Sequence, residues 1–420
     1  RPMRGIKRAW HSVALTWQKP AQRHVWYLYL HVLFAAFVGA AASFSGPYIL
    51  RLGGGSSLIG LLSSLPAVLA IFLFLPCARL LETRKRYAPW VVAGLWLSRV
   101  RYLIIAVLPW LLGNYLPQAT VGILVTLSMP LVLFSTGWNP MLADVIPPSA
   151  RATVLSWRSM LHSGVVAVIT LLAGRFLEQG SFPANYQWLY GMAFAGGMLS
   201  ILAISRIAVP DTSETSMTER TDQGKRWLQI LRSLPQENPR YLRLIVNTFV
   251  FDTGAWLLGP VYIVFFVRTL GAGDGWIGLN ATLGHIGVVL GYWIWRRISQ
   301  RAGAHRALLI AAPLAASYAF MLAAIPNLSF ILVAGLLVNT FNPGVALNHS
   351  MIMMDLLPSG HRHSAVALYS MLMNVGAFVW PLLGVALTEL VGITPVLWIG
   401  GGIRLLGAIM FYLWPVLDDR

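Results

Sequence analysis

The sequence predicts an all-α polytopic membrane protein of twelve spans, arranged as two parallel six-helix repeats. Three observations predict it. First, 57% of the 420 residues are hydrophobic and only 11% are charged, against about 25% charged in an average soluble domain. Second, the charges are gathered between long stretches that carry almost none, such as 58–76 and 165–173. A hydrocarbon core of about 30 Å needs about 20 apolar residues at 1.5 Å each. Third, the second half of the chain repeats features of the first in the same order.

The spans are expected near 25–50, 58–80, 87–112, 119–143, 152–176 and 188–208 in the first half. Those of the second half are expected near 242–267, 276–298, 307–325, 328–350, 364–387 and 394–416. Before span 1 lies a basic arm, 1–24, whose Ile6, Trp10, Val13 and Trp17 recur at i, i+4, i+7 and i+11. That is one apolar stripe, as in a helix lying in the membrane interface. The arm is broken by Pro2 and Pro20 and lacks a small-residue cleavage site, so it does not read as a cleavable signal peptide. Between the halves, 209–240 is a linker, polar from Asp211 to Gly224 and amphipathic from Lys225 to Arg232. The six-helix halves are then 25–208 and 241–420.

Charge alternates from one side to the other. Arg1, Arg4, Lys7, Arg8, Lys19, Arg23, Arg84, Lys85 and Arg86 fall on one side, as do Arg220, Lys225, Arg226, Arg232, Arg240, Arg243, Arg296, Arg297, Arg301 and Arg306. The other side has little beyond Arg51, Arg175 and Arg268. Excess Lys and Arg mark cytoplasmic loops, so both termini are expected in the cytoplasm, with the chain in a plasma (inner) membrane. The net charge of +17 is read the same way, since no nucleic-acid motif accompanies it. One cysteine, Cys77, excludes an intrachain disulfide and a cysteine-based metal cluster. No Gly-rich phosphate loop or His-Glu-x-x-His is present, so no enzyme, no cofactor and no metal site is expected.

The repeat rests on three pairs. Asp144-Val145-Ile146-Pro147-Pro148-Ser149-Ala150-Arg151 matches Asp355-Leu356-Leu357-Pro358-Ser359-Gly360-His361-Arg362 at an offset of 211, which also superposes Ser159-Met160-Leu161 on Ser370-Met371-Leu372. Leu52-Gly53 with Ile59-Gly60-Leu61 matches Leu270-Gly271 with Ile277-Gly278-Leu279, and Gly46-Pro47 matches Gly259-Pro260. Six spans in each copy make the duplication parallel, about an axis along the membrane normal.

With its 6+6 plan, central linker and basic loops after spans 2 and 8, the chain resembles a major facilitator superfamily transporter over its whole length. The stretch from Trp138-Asn139-Pro140 to Arg151 resembles a little-characterised bacterial branch of it. The family's loop motif is degenerate here. The first copy, Ala78 to Arg86, offers Glu82 and Arg84 but no glycine. The second, Arg296 to Arg306, keeps Gly303 and Arg301 but has Gln300 where an acid is common. The resemblance implies secondary active transport of a small organic solute by alternating access, coupled to an ion such as a proton. Two other readings stay open: an accessory subunit that binds a partner membrane complex and moves nothing, and a flippase for a lipid or lipid-linked substrate. Membrane lipids are partners under each reading.

Ionisable residues at membrane depth are costly and mark function by default. Asp252 is the deepest acid, about 13 Å beyond Arg243; it is a candidate for coupling, or else a structural carboxylate. His285, about 13 Å beyond Trp276, is expected near Asp252 as the second coupling candidate. Arg158 and His162 share one face of span 5 and are cavity candidates, with Trp256, Asn247, Asn280 and Asn374. The repeat counterparts of Arg158 and His162 are Tyr369 and Met373. Arg99, Arg101 and Arg404 are expected to be structural or to meet lipid headgroups. Glu82, Arg84, Asp144, Arg151, Arg301, Asp355 and Arg362 are expected at a cytoplasmic gate or scaffold.

Overall fold

A computed structural model describes residues 20–82, 84, 86–113, 115–146, 148–209, 238–356 and 362–416. The interfacial stripe of the arm and the amphipathic part of the linker lie outside the described residues. Among the described residues, twelve helical segments are long and apolar enough to cross a membrane. They are α1 (Pro20–Ser43, continued by Ser45–Arg51), α2 (Ser56–Glu82), α3 (Ala88–Leu111), α4 (Leu116–Thr126, continued by Met129–Val145), α5 (Pro148–Gln179) and α6 (Ala184–Ser205). The second half holds α7 (Pro239–Val264, extended by a π-helical turn, Phe265–Thr269), α8 (Asp274–Ala302), α9 (Ala304–Ala324), α10 (Leu328–Leu356), α11 (Arg362–Val391) and α12 (Ile393–Leu413). Lipid offers no hydrogen-bonding partners, so each crossing segment satisfies its backbone internally as a helix. Most helices run a few residues past the expected spans, because they end where turn residues stop them rather than where hydropathy falls.

The two copies fold alike. In the first half α1 packs on α5 and α6, α3 on α4 and α6, and α2 on α4. In the second half α7 packs on α11 and α12, α9 on α10 and α12, and α8 on α10. The halves meet through α2 against α11 and α5 against α8, a pair of contacts that a parallel repeat interchanges. Gly53 and Gly271, matched in the sequence repeat, both turn the chain with positive φ, 85° and 63°. Only glycine adopts such angles without steric cost.

Without a hydrophobic drive between helices in lipid, close approach of small residues holds the bundle together. On α9, Ala307, Ala311, Ala315 and Ala319 are buried at one-turn spacing. Where α5 crosses α8, a Cβ on Gly174 would stand 2.9 Å from the Gly278 Cα. Beside that crossing, Thr282 Oγ1 donates to the Ala167 carbonyl at 2.9 Å. At the other junction Gly60 lies against Val385 and the Pro381 carbonyl.

Candidate functional site

Both ends of the described chain, with the end of α6 and the start of α7, lie at one end of the bundle, here called the terminal end; the other is the far end. Asp252 stands near the middle of the 31-residue α7. It lines a cavity of about 340 Å³ inside the second half, with Asn342, His349, Tyr369 and Arg404 from α10, α11 and α12. Its carboxylate has no hydrogen-bond or ion-pair partner among the described residues. Arg404 acts on it electrostatically without closing a contact pair. Arg404 Nη2 donates to Asn342 Oδ1 at 3.1 Å, and its guanidinium lies 4.7 Å above the Phe251 ring. Its Nε and His349 Nε2 are buried without partners among the described residues. The His349 ring lies tilted against Tyr369, ring centroids 5.5 Å apart.

Two expectations change here. His285 does not join Asp252: α8 leaves α7 after their connecting turn and packs on α5 and α10. His285 comes within electrostatic reach of His162 on α5 instead. The physical reason is the Gly174–Gly278 crossing, which draws α8 onto the opposite half. Arg404, expected to be structural or to meet lipid headgroups, is the cation in the Asp252 cavity.

The first half holds a different chemistry at the equivalent place. Arg158 of α5 lies 4.9 Å above the Trp138 ring of α4. The His31 ring is 5.5 Å from Trp138, and its Nδ1 donates to the Ser200 carbonyl at 3.1 Å. His162 packs at Gly39 of α1. Arg99 is 8% exposed, with its stem laid on Gly197. At the repeat offset of 211, Trp138 falls on His349 and Arg158 on Tyr369. The repeat thus brings the same two positions into ring contact in both halves, and the residues there make one half cationic while the other faces a carboxylate. That offset was the signal that could have found His349.

The remaining candidates are placed as follows. Asn247 is fully buried and donates to the Met410 and Trp414 carbonyls, tying α7 to the end of α12. Asn280 faces Gly335 of α10. Asn374 donates to Ser370 on its own helix. Trp256 meets Phe249 edge-on at 5.9 Å and wedges against Gly376 of α11. Among the gate candidates, Arg84 lies over Trp90, and Asp144 accepts from the Tyr87 hydroxyl at 2.5 Å. Arg301 and Asp355 are exposed; the side chains of Glu82, Arg151 and Arg362 lie outside what is described.

The sequence reading missed a latch at the far end. Arg51 Nε and Asp274 Oδ1 form an ion pair across the halves at 3.0 Å, and the Tyr186 hydroxyl donates to the same oxygen at 2.7 Å. Tyr186 is held by Tyr48, stacked at 4.7 Å. The π-helical turn ending α7 carries Arg268, which donates to the Gly54 carbonyl and to Ser56 Oγ at the start of α2. The signal was present: this side has few charges, and three of them, Arg51, Arg268 and Asp274, are used in the latch.

Comparison with known proteins bears on the whole arrangement. Residues 244–420 match the family model of the Major Facilitator Superfamily. No curated protein matches the chain. Among solved structures, a D-xylose–proton symporter superposes with a TM-score of 0.70 at 14% identity, covering 94% of this chain and 97% of that one. A nucleoside transporter gives 0.70 at 10%, covering 93% and 99%. A bacterial homologue of the human lysosomal transporter Spinster, inward-facing and unoccupied, gives 0.66 at 12%, covering 94% and 97%. The chain is therefore a multi-pass membrane protein that carries the Major Facilitator Superfamily transporter fold along its length and matches that superfamily's model through its second half.

Proposed function

We propose that the chain is a secondary transporter that moves a small organic solute by alternating access, coupled to a cation, most simply a proton, at Asp252. The observation that carries this reading is the unpartnered Asp252 carboxylate in a cavity at the middle of α7, with Arg404 in the same cavity. An ionised carboxylate at that depth is costly without a partner, so it gains from taking a proton from water that enters the cavity. Protonation removes the attraction between Asp252 and Arg404 and changes what holds α7 to α12. That is a difference the two conformations can read. The latch of Arg51, Asp274, Tyr186 and Arg268 closes the far end, and its release lets the halves rock about α2/α11 and α5/α8. His285 and His162 sit at the α5/α8 junction, where the halves slide. Arg158, Trp256, Asn280 and Asn374 remain proposed solute contacts, and the exposed Arg301 and Asp355 proposed gate residues.

The terminal end belongs in the cytoplasm on this reading, because Arg84, Arg86, Arg240, Arg243, Arg296, Arg297, Arg301 and Arg306 gather there. The far end then faces outward, in a plasma (inner) membrane. The test begins with a thermal-shift screen of a metabolite library on purified protein, since a ligand of the native state raises its stability. A hit is followed into proteoliposomes with and without a proton gradient. Asp252→Asn should abolish gradient-driven accumulation while exchange without a gradient survives. Wild-type dependence on the gradient in that variant moves the coupling site elsewhere.

A further inference from the structure

The first half holds positive charge between its helix ends that meets no acid among the described residues. Its three acids, Glu82, Asp144 and Glu178, all stand at helix ends. Between those ends lie His31, Arg99, Arg101, Arg158 and His162. Arg101 has one partner, since its Nη2 donates to the Tyr102 hydroxyl at 3.0 Å, though its Nε and that of Arg99 are buried without one among the described residues. Arg158 has no hydrogen-bond partner at all among the described residues. Its guanidinium rests on Trp138, its Nε is buried without a partner, and His31, Arg99 and His162 around it are cationic or neutral. Arg158 and Trp138 are ten residues into α5 and seven from the end of α4, so both lie about 10–15 Å from the terminal end at 1.5 Å per residue. A fold that held this half-buried guanidinium for its own stability would supply a carboxylate. Holding it on an indole face leaves its planar fork free for a ligand.

Resting on the transport reading above, we propose that the α1/α4/α5 face of the first half binds the anionic group of the substrate, a small carboxylate or phosphate compound. Arg158 is the anchoring cation, and His31 and His162 flank it. Trp138 fixes the guanidinium plane and presents an apolar edge to the body of the solute. The two halves then divide the work. The first recognises the anion, and the second, with Asp252, takes up the coupling cation.

The test uses the full chain, purified in detergent, at constant ionic strength. The probes are inorganic phosphate, succinate, glucose 6-phosphate, glucose and a simple amine, with dioleoylphosphatidylglycerol added in a separate arm. The expected result is a rise in unfolding midpoint with at least one soluble anion, growing with the logarithm of its concentration, and none with glucose or the amine. Arg158→Gln should raise the anion concentration for half-effect by about 10- to 100-fold, the value of a charge-assisted hydrogen bond. Arg158→Lys should recover part of that loss. The ligand-free Arg158→Gln protein should be as stable as the wild type or more so, because an unbalanced charge has been removed. An Arg158-dependent shift with the lipid alone keeps the anion site and assigns it to a headgroup. Stabilisation by neutral or cationic solutes only, or an anion shift unaltered in Arg158→Gln, overturns the proposal. So does loss of folded protein in Arg158→Gln that Arg158→Lys restores without any anion, since the charge is then structural. Transport of a neutral solute untouched by Arg158→Gln sinks this inference and leaves the transport reading. An Arg158-dependent anion that is bound but never crosses proteoliposomes does the reverse.

Discussion

Breaking the far-end latch should open that end of the bundle. The side chain of Asp274 is 7% exposed and that of Arg51 31%, so the pair lies between the buried and surface limits. Removing one partner of a buried ion pair costs about 3–5 kcal/mol, and exposed pairs are worth about 0–1 kcal/mol. Discounting for the exposure of Arg51, the latched state should lose about 1–3 kcal/mol, a shift of about 5- to 150-fold between the two conformations. The two halves of the pair are not equivalent. Arg51→Gln strands a buried carboxylate with the Tyr186 hydroxyl as its remaining strong donor, whereas Asp274→Asn lets Arg51 turn to water. The first change should therefore have the larger effect. The readout is cross-linking between Gly60→Cys and Val385→Cys in a Cys77→Ser background, which leaves no other cysteine. A Cβ on Gly60 would stand 3.5 Å from the Val385 Cβ, within the roughly 3.5–4.5 Å of a disulfide. Mild oxidant should link them readily in the latched protein and at least about fivefold more slowly with Arg51→Gln, taking the lower end of that range. Equal rates, within about twofold, would refute the argument that the latch decides the far end.

Three further outcomes follow from the geometry. Gly278→Val places a side chain 2.8 Å from the Thr170 carbonyl and 2.9 Å from the Gly174 Cα; overpacking of this kind costs about 1–3 kcal/mol, read as a lower thermal midpoint and weaker association of α5 with α8. Gly53→Ala and Gly271→Ala should each destabilise, by about 1 kcal/mol or more, because alanine is strained at the positive φ both glycines adopt; equal midpoints in thermal denaturation would contradict the turn assignment. Tags at residue 1, near Thr218 and at residue 420 should all report the same side of the membrane, and one tag on the opposite side breaks the twelve-span topology.

The number of spans, their order and the duplication were legible in the sequence because each is written locally. A run of apolar residues commits itself to a helix wherever lipid surrounds it, and Gly53 and Gly271 mark equivalent turns by what their own backbones must do. Asp252 was legible for the same reason, since its depth follows from counting residues along one helix. Its partners were not. In lipid the outward face of a helix is as apolar as the face packed on its neighbour, so periodicity does not say which way a side chain points. Arg404 and Arg101 sit at similar depths, yet one faces the Asp252 cavity and the other a tyrosine on its own helix. His285 was expected beside Asp252 because α7 and α8 are consecutive, but Gly174 and Gly278 let α8 bind α5 instead. The latch depends on the same kind of information, since Arg51 and Asp274 are 223 positions apart and meet only when the two halves dock. Local chemistry set the helices and their repeat. Helix rotation and the contact between halves, which no single segment encodes, decided which charges share a site.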